Sequence, residues 1–322
     1  MITTILYSSG KISFNLPTDQ LSQTISQPEN ITWTDIKDPS PDDLAVLDEV
    51  FHFHPLAIEY CIKPPTSPKI VFFGESIFII FFSVKYDSHN KRLITVPLNI
   101  FLGKNHLVTF HKKDVRGVNE TFDVIKQNPA ETLALGADFT LYILLDLISE
   151  KYLDILDSLN NRIEVVEDKV LQNESENVSK ELFKLKKEML HLRKITSPQR
   201  DSISRLIREA TPIIKSNVKI YFHDVYDKLF KVSETITTCV DILISTQELF
   251  FSVVSNKTNQ VVKTLAVIAT VFMPLTLITG IYGMNFKHIP GLDSPYGYYS
   301  TLILMVLICG TALWIFKRKN WF

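Results

Sequence analysis

Only three cysteines, Cys61, Cys239 and Cys309, occur in 322 residues, and their wide spacing and odd number exclude a disulfide framework and any Cys-x-x-Cys metal knuckle. All three read as reduced packing residues. The chain also lacks Gly-x-x-x-x-Gly-Lys-Ser/Thr, Gly-x-Gly-x-x-Gly and Gly-x-Ser-x-Gly, which removes the phosphate cradle, the dinucleotide fold and the nucleophile elbow. No Ser/His/Asp or Cys/His set stands in a glycine-marked context, so the chain does not read as an enzyme. Charge of one sign is missing too: 34 Lys and Arg against 35 Asp and Glu give a net charge of −1 and no electrostatic reason to bind nucleic acid. The opening MITTILYSSGK has no charged-then-apolar pattern of a cleaved signal. With 46% hydrophobic and 11% aromatic residues, disorder is excluded as well.

The informative absence is local. No charged residue occurs over 264–286, and a second uncharged stretch covers 294–316. At 1.5 Å per residue each run reaches roughly 34 Å as a helix, enough for the ~30 Å hydrocarbon layer. Buried helices of a soluble protein are the competing reading. Two such runs separated by a short loop and closed by Lys317-Arg318-Lys319 favour membrane spans. Lys257 and Lys263 precede the first run and the Lys-Arg-Lys cluster follows the second, so both termini are expected in the cytoplasm, with the loop exposed outside.

The rest divides by pattern. Residues 1–130 alternate short β-branched and aromatic runs with turn residues, as an α+β domain would; Lys69-Ile70-Val71-Phe72-Phe73 with 77–84, and 93–102 with 107–110, read as hairpins. Ser40-Pro41-Asp42-Asp43 offers a capped helix start. From about Ala130 apolar residues recur every three or four positions (Leu141, Leu144, Ile148, Tyr152, Ile155, Leu159, Ile163), as in long helices. Breaks are expected at 172–177 and at Thr211-Pro212, with a kink at Pro198. From about Asn217 a single helix is expected to enter the first span without interruption, on the order of 100 Å in all. The expected fold is therefore an α+β cytoplasmic domain (1–130), long helices of a stalk (131–262), a first transmembrane helix (263–286), an external loop (287–297), a second transmembrane helix (298–316) and a basic tail (317–322).

The first span ends in Tyr282-Gly283-Met284-Asn285-Phe286 and carries Ala269-Thr270-Val271-Phe272-Met273-Pro274-Leu275-Thr276, with Ser255-Asn256-Lys257-Thr258-Asn259 before it and Asp224-Val225-Tyr226-Asp227 further upstream. In these residues the chain resembles the CorA family of divalent-cation channels, specifically from about Tyr221 onward; over the N-terminal domain the likeness rests mainly on His54-Pro55-Leu56. The resemblance implies a homo-oligomer, a pentamer, in the cytoplasmic membrane lipid, passing Mg²⁺, with Co²⁺ and Ni²⁺ as further cargo. It implies no cofactor beyond Mg²⁺ as transported and regulatory ion. The pore-facing positions it implies are Asn259, Leu265, Met273, Thr276 and Asn285, with Gly283 and Met284 completing the signature.

Elementary physics supports a role for that signature. The last carbonyls of a helix lack intrahelical partners and carry about half a negative charge, and Gly280 and Gly283 leave room where several copies meet. Asn285 adds a neutral amide oxygen able to accept hydrogen bonds from an ion's water shell. Mg²⁺ surrenders its waters reluctantly, so a ring of amides around the hydrated ion is an easier selector than a dehydrating cage. Met273 and Leu265 would form apolar rings able to dewet. The plainer readings are an ordinary Gly/Asn helix end and ordinary packing residues.

Two departures from the family pattern stand out. Gly291 occupies the place of the loop glutamate, leaving Asp293 as the only external acid. The regulatory pair of carboxylates is half preserved: Asp224 stands at the stalk position, while Tyr60 occupies the place of the second acid, with Glu59 beside it. Feedback inhibition is therefore expected at raised Mg²⁺, strengthened by Tyr60→Asp. A zinc-transporting relative, or a two-span sensor whose spans merely anchor it, are the alternative functions. His52-x-His54 is expected to cap or sit at the surface, and Lys184, Lys186, Lys187, Arg193 and Lys194 to form a solvated helix face.

Overall fold

The computed structural model describes residues 1–63, 65–87, 92–172, 177–287, 289–291, 294–319 and 321. It divides into two compact units, one reaching Thr246 and one covering Gln247–Phe322.

The first unit is built on one seven-stranded sheet. Its strands are β1 (Ile2–Ser8), β2 (Lys11–Phe14), β3 (Ile31–Lys37), β4 (Lys69–Phe72), β5 (Ile77–Asp87), β6 (Arg92–Leu102) and β7 (His106–His111), in the order β2-β1-β3-β7-β6-β5-β4. The apolar run Ile77 to Phe82 lacks alternation because β5 is buried on both faces, and β5 pairs with β6 from Ile77↔Leu102 to Asp87↔Arg92. Among the described strands only β3 and β7 pair in parallel, from Thr32↔His106 to Lys37↔His111. Both edges are four-residue strands, which limits their pairing with other chains.

Helices α1 (Thr18–Ile25), α2 (Pro41–Glu49) and α3 (Pro55–Ile62) cover one face, where Leu21, Leu47, Phe53 and Cys61 meet Ile36, Phe78, Phe101 and Phe110. Each such aromatic or leucine contributes about 1.5–3 kcal/mol by burial. The expected cap of α2 is present: Ser40 Oγ accepts from the Asp43 amide at 3.2 Å, and the Asp43 carboxylate accepts from the Ser40 amide at 2.8 Å. His54 caps α3, its Nδ1 accepting from the Leu56 amide at 3.1 Å while its ring stacks on Phe73. The capping reading of His54 therefore holds.

The other face is covered by α4 (Arg116–Gln127) and α5 (Ala137–Leu171), with Trp33 stacked on Phe122 at 4.0 Å. Helix α6 (Val178–Arg208) packs along α5, and Arg162–Glu188 and Lys169–Glu181 ion pairs tie the two together. Gln199 Oε1 accepts from the Phe82 amide at 2.8 Å and from the Tyr152 hydroxyl at 3.2 Å, so α5 and α6 are both fixed to β5. Helicity from Ala130 needs correction. Residues Pro129–Glu131 and Leu133–Leu135 form two 3₁₀ turns, ended by Gly136 at φ +137°, before α5 starts. Beyond them the buried Asp138 carboxylate accepts from the Phe139 and Lys215 amides. The break at 209–218 falls where Thr211-Pro212 places it, and α6 continues through Pro198 as one helix.

Helix α7 (Lys219–Tyr282) has 64 residues and passes Pro274 without a break. In the second unit it packs on α8 (Gly297–Arg318) through Val267, Val271 and Leu275 against Cys309, Ala312 and Phe316. Helices α7 and α8 are each long and apolar enough to cross a membrane. The three cysteines are free, with Cys61 and Cys239 buried.

Candidate functional site

At about 100° per residue, Leu265, Ala269, Met273, Thr276 and Gly280 fall within about 80° of one another on α7. Val267, Val271 and Leu275, which meet α8, lie on the opposite side. Among the described residues the stripe is thus unpartnered: Met273 is 73% and Leu265 66% exposed, and a shallow groove lined by Ala269, Met273, Thr276, Gly280 and Met284 runs along it. Asn259, also exposed, sits at the margin of the stripe. The stripe carries no charge. Thr276 Oγ1 donates to the Phe272 carbonyl at 2.9 Å, which leaves its lone pairs outward as acceptors. Pro274 supplies no N–H, so the Thr270 carbonyl loses its usual i+4 donor beside this stripe.

Helix α7 ends at Tyr282. The Gly283 and Met284 amides close the last turn on the Thr279 and Ile281 carbonyls at 2.9 and 3.2 Å, and exposed Asn285 follows outside the helix. The turn to α8 is close-packed: Gly291 takes φ +93°, and a Cβ on Gly297 would stand 2.0 Å from the Gly291 carbonyl oxygen. Gly291 is therefore a turn residue, which gives a physical reason for glycine where the family pattern has glutamate. Tyr282 Oη donates to the Pro290 carbonyl at 3.5 Å. Beneath this turn lies a cavity of about 520 Å³ lined by Ile278, Tyr282, Gly283, Tyr298 and Met305. Asp293 lies outside the described residues.

Glu59 is exposed on α3, and Asp224 is more than half exposed on α7. Among the described residues of one chain no three His, Cys, Asp or Glu side chains gather as a metal site. Asp224 has a cationic neighbour, and so does Tyr60, the residue beside Glu59. Lys228 Nζ stands 3.2 Å from Asp224 and 2.5 Å from Asp146. Burial works against the charge on Lys228, and the Asp146 and Asp224 carboxylates outweigh it and raise its pKa. Lys69 Nζ donates to Tyr60 Oη at 2.7 Å and lies 4.4 Å from the ring centre.

Two histidines escaped sequence reading because their burial, and for His111 its partner, come from residues far apart in the chain. Buried His111 Nε2 stands 3.1 Å from Asp35 Oδ1, which also accepts from Thr109 Oγ1 at 2.5 Å. Burial opposes its charge, but the Asp35 carboxylate prevails and raises its pKa. His106 is pushed down to about 4 by burial, with Nε2 enclosed and without a partner among the described residues.

A sheet domain, a 64-residue helix that becomes a membrane span, and a second span joined by a glycine-packed turn define a two-span membrane protein with an uncharged exposed stripe on its first span. Residues 28–318 match the CorA-like Mg²⁺ transporter protein family. The chain is 34% identical over 295 residues to the cobalt/magnesium transport protein CorA of Thermotoga maritima, covering 90% of this chain and 83% of that one. It is 22% identical over 254 residues to a zinc transport protein, ZntB, of Pectobacterium atrosepticum, covering 79% and 76%. Its fold superposes on the complete CorA magnesium transporter of Methanocaldococcus jannaschii with a TM-score of 0.86 and 25% identity, covering 100% and 99% of the two chains. The chain belongs to the CorA family.

Proposed function

We propose that the chain is a channel for Mg²⁺, with Co²⁺ and Ni²⁺ as further cargo, that mediates influx across the cytoplasmic membrane as a homopentamer. Two helices enclose no lumen, so conduction needs several copies. The observation that carries the reading is the uncharged stripe Leu265, Ala269, Met273, Thr276 and Gly280, turned away from α8 and ending at Gly283-Met284-Asn285. Five copies of that helix end, at about −0.5 charge each, put roughly −2.5 charges at the mouth without a fixed acid. Asn285 meets the hydrated ion, Thr276 offers acceptors deeper in, and Met273 and Leu265 narrow the path into apolar rings that stop flow when dry.

Both termini lie in the cytoplasm in this reading, and the inward potential supplies the drive: about 2.3 kcal/mol per charge per 100 mV, doubled for a divalent ion. Asp224 and Glu59, on neighbouring subunits, hold a regulatory Mg²⁺ that closes the path when the internal concentration rises. The loop acid Asp293 gathers cations outside. The test is Mg²⁺ flux into vesicles reconstituted with the purified protein, with Zn²⁺ and Co²⁺ compared in the same preparation; potential-driven Mg²⁺ entry supports the reading, and its absence in folded, inserted protein rejects it.

A further inference from the structure

Two charged faces in the first unit take no part in the sheet or the ion path. On α5, Glu150, Asp154, Asp157, Asn161, Glu164 and Asp168 follow one another at alternating spacings of four and three, and all are exposed. That spacing keeps them on one side of the helix. The stripe holds five acids and no base. On α6, Lys180, Lys184, Lys187, His191 and Lys194 repeat the same spacing with no acid among them, and all are exposed except half-buried Lys184. The acids of α6 nearest this stripe, Glu181 and Glu188, are turned to α5, where they pair with Lys169 and Arg162. Apolar side chains flank both stripes: Val165 and Leu171 on α5, Phe183 and Leu190 on α6, with Phe183 72% exposed.

At 1.5 Å per residue the acidic stripe runs about 27 Å and the basic one about 21 Å, so they match in length as well as in sign and repeat. We infer that the α5 face of one copy docks against the α6 face of the next copy around the ring. The two faces lie on the same chain and differ from each other, so the contact is heterologous, head to tail, which is the kind that closes into a ring. Complementary charge sets register and discriminates against α5–α5 or α6–α6 pairing, and the exposed Phe183 and Leu190 gain cover in the same contact. The inference rests on the oligomeric reading above, and its test separates the two.

The experiment uses the full-length protein in detergent micelles. Two tagged forms are co-expressed, one with Lys180, Lys184, Lys187 and Lys194 changed to Arg, the other with the five α5 acids changed to Asn or Gln, and mixed complexes are purified through both tags. A carbodiimide then couples carboxylate to lysine at zero length, and a link in the mixed complex between one of the five α5 stripe acids and Lys180, Lys184, Lys187 or Lys194 joins different copies, unlike the Lys169–Glu181 pair within each chain. Such links are expected, with yield falling several-fold between about 0.05 and 0.5 M NaCl as charges are screened. In otherwise unmodified protein, Asp157→Lys with Glu164→Lys, or Lys187→Glu with Lys194→Glu, should each cut the yield of links between the two stripes about fivefold, and all four together should restore it to within about twofold. Oligomers without these links, single reversals that leave the yield intact, or a combined variant no better than the single reversals overturn the docking and leave the channel reading standing. Loss of binding to phosphatidylglycerol vesicles on Lys187→Glu with Lys194→Glu, with copy-to-copy links absent, assigns the basic face to lipid and overturns the docking. A monomer by light scattering overturns both.

Discussion

Lys228 occupies the place where a regulatory cation would meet Asp224, so removing it should make feedback inhibition more sensitive. Its ammonium lies 3.2 Å from Asp224, four residues away on α7. A surface pair at that spacing is worth about 0.3–0.5 kcal/mol, which a cation must displace. Lys228 also repels the arriving ion: a single and a double charge about 6 Å apart in water interact by about 1.4 kcal/mol, roughly halved by physiological salt. Together these amount to about 1 kcal/mol, and Lys228→Met should lower the internal Mg²⁺ concentration for half-inhibition about fivefold. The variant also leaves Asp146 unpaired, so Asp146→Asn is added to it as a control, and the shift should survive. Asp224→Asn should move the midpoint the other way. The assay is flux into vesicles loaded with a graded series of internal Mg²⁺. A midpoint unchanged in Lys228→Met, with normal assembly and flux at low Mg²⁺, would remove Asp224 from the regulatory site.

Met273→Ala and Leu265→Ala should each raise basal conduction at low driving force, because a wider apolar ring stays wet; single-channel or vesicle-flux recordings check this, and unchanged flux in both would place these side chains against neighbouring helices. Tyr60→Asp alone should strengthen inhibition little, since Lys69 lies beside the new carboxylate; Tyr60→Asp with Lys69→Met should shift the inhibition midpoint several-fold lower in the same flux series. His106, ordinarily near 6.5 and held at about 4, stays neutral in the folded state. Its contribution is therefore complete above pH 6.5 and is lost as pH falls through about 4, by about 2–3 kcal/mol between pH 8 and 4.5. His106→Gln should flatten that pH dependence, measured as the denaturation midpoint from Trp33 fluorescence with Trp314 and Trp321 replaced by Phe. A variant with the same slope as the parent would show that His106 is not the titrating group.

The elements whose signals are local were legible in the sequence. The charge-free runs gave the spans, Ser40 and Asp43 the start of α2, and the β-branched runs around Gly74 and Gly103 the two hairpins. The turns at 129–135 were not, because apolar spacing there continues the helical rhythm, while Asn128, Thr132 and Gly136 leave the helical conformation. The candidate pore positions came from the family resemblance, and helix geometry puts Leu265, Met273 and Thr276 on one face of α7. What stayed hidden depends on distant partners: Lys228 reaches Asp146 across 82 residues, and His111 finds Asp35 across 76. Half of the first arrangement had a sequence signal, the i, i+4 spacing of Asp224 and Lys228. The parallel pairing of β3 with β7, which brings Asp35 to His111, had none.

The central claim is that ions pass along the uncharged stripe of α7 and enter at Asn285. The measurement that tests it most directly is potential-driven Mg²⁺ uptake into vesicles holding wild-type protein or Asn285→Ala, with oligomeric state and insertion verified for both. Rapid uptake by the wild type and near-complete loss in Asn285→Ala, the assembly unchanged, is the predicted result. Normal Mg²⁺ entry through Asn285→Ala would contradict it.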